Sequence, residues 1–405
     1  MTTRCMLVIL LETCRASAEE FDYKTAIKIA SAKTISAVES LARSDRRLAA
    51  TVDQWDADPW LLNTPDGVVD LKTGILRPHR IEDYMTKITA IGPGGNCPLF
   101  LAFLDRIMSG DHEVISYIQR VFGYGLTGEI IEHALFFWYG TGANGKSVLL
   151  STVSGLLGDY HTAAPIETFT VSNSDRHPTD LAGLRGARLV SASETEEGRR
   201  WAEAKIKQLT GGDRIAARFM RQDFFTYQPA FKLIIAGNHK PSLRSVDEAI
   251  RRRFHLVPFA VTIPEHERDL ELTKKLKAEW PGILAWIIQG CLEWQKTGLR
   301  PPAAVRKATD AYLESEDAIA AWLEERCERD PNAWESSTTI FASWSAWAAA
   351  AGEYVGSQKQ LTQKLEKRGG FVGKRTNKSQ GMSGMSGLRI LPEETPRSSY
   401  YDRDM

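Results

Sequence analysis

The chain has 405 residues, which is too long for one small domain and predicts two to four structural units. With 43% hydrophobic and 25% charged residues, its composition is that of an ordinary soluble globular protein. The 51 lysines and arginines balance 51 aspartates and glutamates. Net charge alone therefore indicates neither a nucleic acid nor a membrane as the partner, and any basic surface must be local.

The five cysteines are scattered and form no CxxC pair. This spacing argues against a zinc site and provides no disulfide framework. It favours a reducing compartment, the cytoplasm.

The N-terminus carries an apolar run at residues 4–11, followed by Ala-Ser-Ala at 16–18, which resembles a secretion signal. The apolar core is short, however, and Glu12 and Arg15 follow it directly. We therefore expect an ordinary short strand or helical turn and a chain that is not secreted. No stretch approaches the ~20 apolar residues that a membrane span requires, so no membrane partner is predicted.

The first 125 residues combine helical and hairpin patterns. Residues 19–50 carry apolar side chains at helical spacing, with charges between them. Residues 55–80 contain Asp-Gly and Thr-Gly turns between short apolar runs, the pattern of small β-hairpins. Residues 99–125 return to a helical pattern. We expect a mostly helical N-terminal domain with a small β component.

Residues 134–260 alternate short strand-like runs with helical patterns, which predicts an α/β domain with a largely parallel sheet flanked by helices. Residues 265–329 are again helical. Residues 335–394 contain two helical patterns, the second basic and opened by a capping serine, and then two strand-like runs around a basic Gly/Ser-rich stretch. The tail that follows has a composition typical of disorder.

The stretch FFWYGTGANGKSVLL, residues 136–150, contains the phosphate-binding pattern G-x-x-x-x-G-K-[ST] between an apolar strand-like run and an amphipathic helix. Glycines let successive backbone N–H groups turn towards a triphosphate, and the helix offers its positive N-terminal end to the same phosphates. Lys146 would reach the β- and γ-phosphates, and the Ser147 hydroxyl would bind Mg²⁺. The predicted nucleotide-binding residues are Gly140, Thr141, Gly142, Ala143, Asn144, Gly145, Lys146 and Ser147.

Two further strand ends supply polar groups. An apolar strand at 189–192 runs into an acidic cluster, in which Glu194 is the first candidate and Glu196 the second for holding Mg²⁺ and polarising water. The strand-like run 231–238 ends in Asn238, which could orient the attacking water or sense the γ-phosphate. A single strand-terminal asparagine is also compatible with a simple turn.

Three consecutive arginines, residues 251–253, precede another strand-like run. One interpretation is a basic helix end stabilised by the helix dipole. The other is an arginine supplied to the nucleotide of a neighbouring subunit, a contribution worth about 10³–10⁵ in rate.

Positive charge is concentrated at residues 199–222, although the chain as a whole has zero net charge. This segment contains seven lysines and arginines and two acidic residues. The sequences RIAARFM and FFTYQPAF flank a polar turn at 221–223 and predict a β-hairpin. Basic residues beside aromatic ones suit phosphate neutralisation and base stacking on a single strand. A solvated basic hairpin is the alternative.

In this order, the motifs resemble those of superfamily 3 helicases. GTGANGKS, the strands ending at Glu194 and Asn238, and IRRRF resemble motifs A, B, C and the arginine finger of these hexameric AAA+ proteins, which viruses, phages and plasmids mainly encode. The chain is more closely similar to the helicase half of phage, plasmid and poxvirus-type primase-helicases. The phrases DPWLLNTPDGVVDLKTG, SASETEEG, LTGGD, ARFMRQDFF and GNHKP carry this similarity, which covers residues from about 50 to 320.

The resemblance implies a homo-hexamer that holds ATP and Mg²⁺ between subunits. Arg253 would act in trans, with Arg252 as the second choice, and Asn238 would sense the γ-phosphate. The implied pore hairpin would grip single-stranded DNA with Arg221 near its tip. The implied DNA contacts are Lys205, Lys207, Arg214, Arg218, Arg221 and Gln222.

The resemblance also implies the fold class: α/β, a P-loop AAA+ ATPase core with an N-terminal α+β or helical domain and a C-terminal winged-helix-like domain. The expected boundaries are 1–125 for an oligomerisation or collar-type domain, 126–300 for the helicase core, 301–335 for a helical connector, 336–394 for the winged-helix-like domain and 395–405 for a disordered tail.

We therefore predict an ATP-dependent, ring-forming DNA helicase that moves single-stranded or forked DNA through a central pore, with 3′ to 5′ polarity by family analogy, in a bacterial or virus-infected cell. One alternative is an AAA+ ATPase that remodels protein. Another is a DNA-binding replication-initiation module whose ATP site only stabilises assembly. A small-molecule kinase is less favoured, because it needs neither the basic hairpin nor the arginine triplet.

Larger family members carry a primase domain ahead of the helicase, whereas only about 50 residues precede the similar region here. We expect no primer synthesis by this chain. It would be a fragment, a split gene product, or a helicase with a separate primase or initiator partner.

Overall fold

The computed structural model describes most of the chain. Three parts of the sequence predictions concern residues outside the described ones: the N-terminal apolar run, Glu194 with Glu196, and the C-terminal tail. The described ranges are 12–17, 20–45, 51–171, 179–193, 199–243, 246–367, 372–375 and 383–391.

Two units make up the structure. The first contains Met1–Pro241 and Arg252–Thr309, and the second contains Ser242–Arg251 and Asp310–Met405.

Short helices and a small antiparallel sheet open the first unit. These elements are α1 (Tyr23–Ile29), α2 (Ala32–Ser44), β1 (Leu61–Thr64), β2 (Gly67–Asp70) and β3 (Ile75–Arg77). Side-chain oxygens of Asp22 and Ser31 accept backbone hydrogen bonds and cap α1 and α2. The strands pair antiparallel in the order β1-β2-β3, so the predicted hairpins are confirmed.

The core of the first unit is a parallel sheet. After helices α3 (Pro98–Ile107) and α4 (His112–Leu126), the strands along the chain are β4 (Leu135–Tyr139), β5 (His161–Ala163), β6 (Leu189–Ser193), β7 (Ile215–Ala217), β8 (Phe225–Tyr227), β9 (Lys232–Gly237) and β10 (Phe254–Pro258). Five of them form a sheet in the order β10-β4-β9-β6-β5, and every neighbouring pair is parallel. β7 and β8 form a separate antiparallel hairpin.

Apolar burial explains this sheet. Leu135, Phe136, Phe137 and Trp138 of β4 are all buried, as expected for a strand with β9 and β10 on its two sides and both faces covered. The predicted α/β class, with a parallel sheet flanked by helices, is confirmed and is consistent with a P-loop core.

Between β4 and residue 315 the described residues form seven α-helices, of which one lies wholly and one partly in the second unit. They are α5 (Lys146–Leu157), α6 (Thr179–Ala182), α7 (Glu203–Gly211), α8 (Glu248–Arg251), α9 (Leu272–Ala278), α10 (Trp280–Thr297) and α11 (Ala303–Ser315). α4 and α10 pack closely at Gly123 and Gly290: a Cβ on Gly123 would meet the backbone of Cys291, and one on Gly290 would meet the carbonyl oxygen of Gln119.

The second unit contains the helices and strands expected near the C-terminus. They are α12 (Ala318–Arg326), β11 (Cys327–Glu328), β12 (Trp334–Ser336), α13 (Ser337–Ala350), α14 (Gln358–Lys367), β13 (Val372–Arg375), β14 (Ser383–Ser386) and β15 (Arg389–Ile390). β13 and β14 pair antiparallel within the sheet β12-β14-β13. Trp322, Trp344 and Leu365 are in its core. The assignment as a winged helix stays a prediction.

Within the described ranges, none of the helices combines the length and the apolar character needed to cross a lipid bilayer.

Candidate functional site

The phosphate loop connects β4 to α5 at the carboxyl edge of the parallel sheet. Gly142 and Gly145 adopt φ values of +105° and +80°, a region that favours glycine. A Cβ on Gly140 would collide with the carbonyl oxygen of Phe259 and with the side-chain amide of Asn144. The local geometry therefore favours glycine at all three positions, and the motif itself requires glycine at Gly140 and Gly145.

Lys146 is the first residue of α5, and its ammonium group points back into the loop. The residue is 6% exposed, and Nζ donates to Gly140 O at 2.6 Å and to Asn238 Oδ1 at 3.2 Å. Burial lowers the pKa of Lys146 to about 8. The structure thus brings together two predicted site residues, Lys146 and Asn238, that follow different strands. The Lys146 ammonium group contacts only neutral oxygens among these partners, so a bound anion would stabilise its charge further.

Asn144 provides a direct test of whether phosphate fits this loop. The residue is 3% exposed, its Oδ1 accepts from Lys146 N at 3.4 Å, and its buried Nδ2 has no hydrogen-bond partner in the structure. A buried donor without a partner costs about 1–3 kcal/mol. Asn144 Nδ2 lies against Gly140, and an anion that it reached would satisfy it. Together with the Lys146 ammonium group, this donor makes the loop residues fit a nucleotide phosphate.

The Mg²⁺ ligands are described only in part. Ser147 is exposed in the first turn of α5. Ser193 ends β6 opposite Ala236 of β9, so the chain leaves β6 at the same sheet edge as Asn238. Glu194 and Glu196 follow outside the described residues, and the described residues bring no three His, Cys, Asp or Glu side chains together as a metal site. The hydroxyl of Ser147 fits a Mg²⁺ ligand.

Nucleotide affinity is expected to fall as the pH rises above about 8, the pKa of free Lys146. Bound phosphate favours the ammonium form, so above that pKa binding requires proton uptake and weakens by up to about tenfold per pH unit. Calorimetric titration with MgADP across this range checks it. Lys146→Arg, which keeps its charge, is the control and should show a flat profile; equal slopes for the two proteins would contradict the assignment.

The arginine triplet divides into three environments. Arg253 is 7% exposed, and its Nε donates to Thr210 Oγ1 at 3.2 Å. Arg251 ends α8 in the second unit, with Nη2 3.9 Å from Asp317 Oδ2. Arg252 is exposed. The first choice from the sequence, Arg253, is therefore buried in the single chain, whereas Arg252 is exposed and the Arg251 side chain is 38% exposed beside Asp317.

The hairpin of β7 and β8 presents apolar side chains to solvent at its tip. Met220 and Phe224 are 70% and 61% exposed, and Phe219 is also exposed. The Arg218 guanidinium lies over the Phe224 ring at 4.8 Å, while the Phe219 and Phe225 rings stack at 5.6 Å. Aromatic faces with a guanidinium beside them match the requirements for stacking nucleic-acid bases.

The DNA-contact candidates occupy two elements. Arg221, at φ +60°, lies in the turn where Gln222 N donates to Phe219 O at 3.2 Å. The hairpin carries Arg218, Arg221 and Gln222 and begins next to Arg214. Lys205 and Lys207 lie instead on α7 and are half-buried. The predicted β-hairpin is confirmed, while the DNA contacts stay a prediction.

Two residues outside the candidate set contact the phosphate loop. Phe259 N donates to Tyr139 O, and Ile263 N donates to Ala143 O, both at 2.7 Å. They follow β10, which pairs with β4 in the sheet. In the sequence, Phe259 and Ile263 are marked only by the apolar run that continues past β10. That run does not indicate that β10 pairs with β4, the strand before the phosphate loop.

Two regions of the chain match known protein families. Residues 7–109 match a family described as D5 N terminal like. Residues 138–253, from β4 to the arginine triplet, match a family of unknown function, DUF5906.

Several viral proteins are similar in sequence. A protein of Acanthamoeba polyphaga mimivirus named as helicase L207/L206 is 26% identical over 66% of this chain and 30% of its own length. One of Frog virus 3 named as helicase 022R is 25% identical over 84% of this chain and 35% of its own length. African swine fever virus C962R, named as a primase, is 21% identical over 74% of this chain and 34% of its own length. The chain thus spans about a third of the length of these relatives.

Among solved structures, the NrS-1 C-terminal region has a TM-score of 0.49 and 11% sequence identity, covering 84% of this chain and 78% of that one.

The fold and the loop define a P-loop α/β protein. The family match and the viral relatives confirm the resemblance stated from the motifs: the chain is related to superfamily 3 helicases of the primase-helicase type.

Proposed function

We propose that this chain is the motor region of a ring-forming DNA helicase that hydrolyses ATP between subunits. The contact between Lys146 Nζ and Asn238 Oδ1 carries the proposal, because it joins the phosphate loop to a polar group at the end of the neighbouring strand. The basic hairpin with an aromatic tip supplies a surface for single-stranded DNA. The viral relatives named helicase and primase support a replicative context.

In the nucleotide site, Lys146 and the N–H groups of the loop would hold the β- and γ-phosphates. Ser147 and Glu194 would hold Mg²⁺, which neutralises phosphate charge when bound. Asn238 contacts the same ammonium group as the phosphates would, so loss of the γ-phosphate would change its hydrogen bonding. Asn238 is thereby suited to signal hydrolysis to β9.

Arg252 is the better candidate for the arginine that acts in trans. It is exposed, whereas Arg253 is buried and donates to Thr210 and Arg251 lies near Asp317, so Arg252 needs the least rearrangement to reach a neighbouring subunit. The six-membered ring and the 3′ to 5′ polarity rest on family analogy.

The hairpin would hold the DNA strand. Its exposed cations neutralise backbone phosphates, and Phe219 and Phe224 offer faces on which bases stack, each such contact being worth about 1–3 kcal/mol.

Arg221→Ala is expected to uncouple hydrolysis from unwinding. ATP turnover without DNA should be unchanged, because the residue is exposed at the hairpin turn. Alanine would experience the same positive φ, so the substitution isolates the side chain. Unwinding should be lost, and the salt dependence of single-strand affinity should fall by about 0.7 in log-log slope.

The control for this variant is Arg306→Ala, which removes another exposed arginine outside the hairpin. Fluorescence anisotropy with a labelled oligonucleotide and a forked-duplex unwinding assay measure the two effects. An Arg221→Ala protein that unwinds at the normal rate would remove the hairpin from the mechanism.

Negative-stain imaging with an ATP analogue and single-stranded DNA, together with ATPase assays with and without oligonucleotide, tests the proposal as a whole. Six-membered rings and DNA-stimulated turnover are expected. A monomer under all nucleotide conditions would contradict the ring. Turnover indifferent to DNA would favour protein remodelling, and activity unchanged by Glu194→Gln would favour a non-motor initiation module.

A further inference from the structure

The segment that follows β10 holds the phosphate loop at two points. Phe259 N donates to Tyr139 O, just before the loop, and Ile263 N donates to Ala143 O within it, each at 2.7 Å. The carbonyl oxygen of Phe259 also packs against the α-carbon of Gly140, where a Cβ would collide with it. The loop therefore rests on a second piece of backbone 120 residues further along the chain.

Ala143 is where this support matters. It adopts a φ of +49°, in the left-handed region, although it is not a glycine. An L-residue in that region is disfavoured relative to its ordinary conformation. Because Ala143 lies between Gly142 and Asn144, its conformation sets the direction of the backbone amides that would face phosphate. Left without support, the loop would relax to a different path.

Ile263 is itself held from several sides. Its carbonyl oxygen accepts from Arg268 Nε at 3.0 Å, and its side chain packs against the main hydrophobic core. Glu267 Oε2, one residue before Arg268, pairs with Arg106 Nη2 at 2.5 Å. At the other end, the ring of Phe259 is buried against Trp138. The backbone around the Ile263 amide thus has several supports that involve no ligand, as preorganisation requires.

We propose that Ile263 is a positioning residue of the nucleotide site, whose main-chain N–H holds Ala143 in the left-handed conformation that phosphate binding requires. The proposal deepens the proposed nucleotide binding and rests on it. Ile263 makes no contact with phosphate in this scheme. It acts through Ala143, so its loss reduces the fraction of loops that are competent to bind and leaves the chemistry of the competent loops unchanged.

The test compares Ile263→Pro, which removes the N–H, with Ile263→Ala, which keeps it. Titration of fluorescently labelled MgADP should show affinity about tenfold weaker for the proline variant, because the left-handed conformation of a non-glycine residue is disfavoured by about 1–2 kcal/mol. The alanine variant loses the side-chain packing but keeps the N–H and the Arg268 contact to its carbonyl oxygen, so it should stay within about twofold of the parent chain. Equal affinities in all three proteins would overturn the proposal.

Ala143→Gly provides the decisive rescue. Glycine enters the left-handed region without steric cost, so Ile263→Pro should weaken binding by less than about twofold in the Ala143→Gly background. A tenfold loss in both backgrounds would mean that proline damages the site by another route, and it would overturn the positioning role.

Amide hydrogen exchange in the unaltered chain keeps the proposal testable should the proline variant fold poorly. Slow exchange at Ile263 without nucleotide is expected, and fast exchange would contradict a preformed bond. The parent chain also separates the two hypotheses. If it fails to bind MgADP, the proposed function fails; if it binds and the variants do not differ, only the role of Ile263 fails.

Discussion

Lys146→Ala is expected to reduce ATP turnover by at least about 10²-fold, the scale on which removal of one preorganised charge-stabilising group acts. The ammonium group lies inside the phosphate loop, between Gly140 O and Asn238 Oδ1, and alanine cannot replace either contact. Nucleotide binding should weaken in parallel, because the same charge faces the phosphates before and during hydrolysis.

The stability of this variant distinguishes a lost function from a lost fold. The folded pKa of Lys146 is about 8, below its ordinary 10.5. Below pH 8 the folded chain therefore carries a charge that burial disfavours, and stability rises with pH only between those two values. At pH 7 Lys146→Ala removes that unfavourable charge and also the hydrogen bonds to Gly140 O and Asn238 Oδ1. The two effects on stability oppose each other, so we expect no large fall in melting temperature. Lys274→Ala, at an exposed position on α9, is the matched control. Retained turnover in Lys146→Ala would refute the phosphate-loop assignment.

Arg252→Ala is expected to lower hydrolysis by about 10³–10⁵ while sparing nucleotide binding, if Arg252 completes the site of a neighbouring subunit. The residue is exposed, so its removal should leave the melting temperature unchanged. Arg253→Ala should behave differently. It deletes a buried guanidinium that donates to Thr210, and the loss of a hydrogen bond to a charged group lowers the free energy of unfolding by about 1.5–3 kcal/mol.

Subunit mixing provides the sharper assay. Arg252→Ala and Glu194→Gln subunits are each inactive alone in this scheme, but a mixed ring contains interfaces in which both residues are intact. Mixing should therefore restore part of the activity. Absence of rescue would count against action in trans. Rescue by Arg253→Ala but not by Arg252→Ala would return the role to the buried arginine and require that it be released on assembly.

The zero net charge of the chain conceals the feature that matters for DNA. Positive charge is concentrated in the segment that includes α7 and the hairpin, and the exposed rings at the hairpin tip lie beside it. Total charge cannot reveal such a surface, because interaction with a single strand depends on the potential within about one Debye length, ~10 Å at moderate salt.

Local sequence patterns were sufficient for much of this protein. Residues 140–147 are sufficient to specify the phosphate loop, because its glycines, lysine and serine all lie in the loop itself or in the first turn of the helix that follows. Alternating apolar and helical patterns predicted the α/β unit, and a polar turn between two apolar runs predicted the hairpin at 215–227. The chemistry of each of these elements is local, so the sequence carries it directly.

The tertiary structure alone decided how these pieces meet. Lys146 and Asn238 are 92 residues apart and come together because β4 and β9 are neighbours in the sheet, which periodicity does not encode. The three arginines of the triplet have the same chemistry but different surroundings: Arg253 is buried and donates to Thr210, which lies 43 residues away in the sequence. The support of Ala143 by Ile263 likewise depends on strand order. Sequence determined which groups this protein has, and non-local packing determined which of them are buried, adjacent or free to reach a partner.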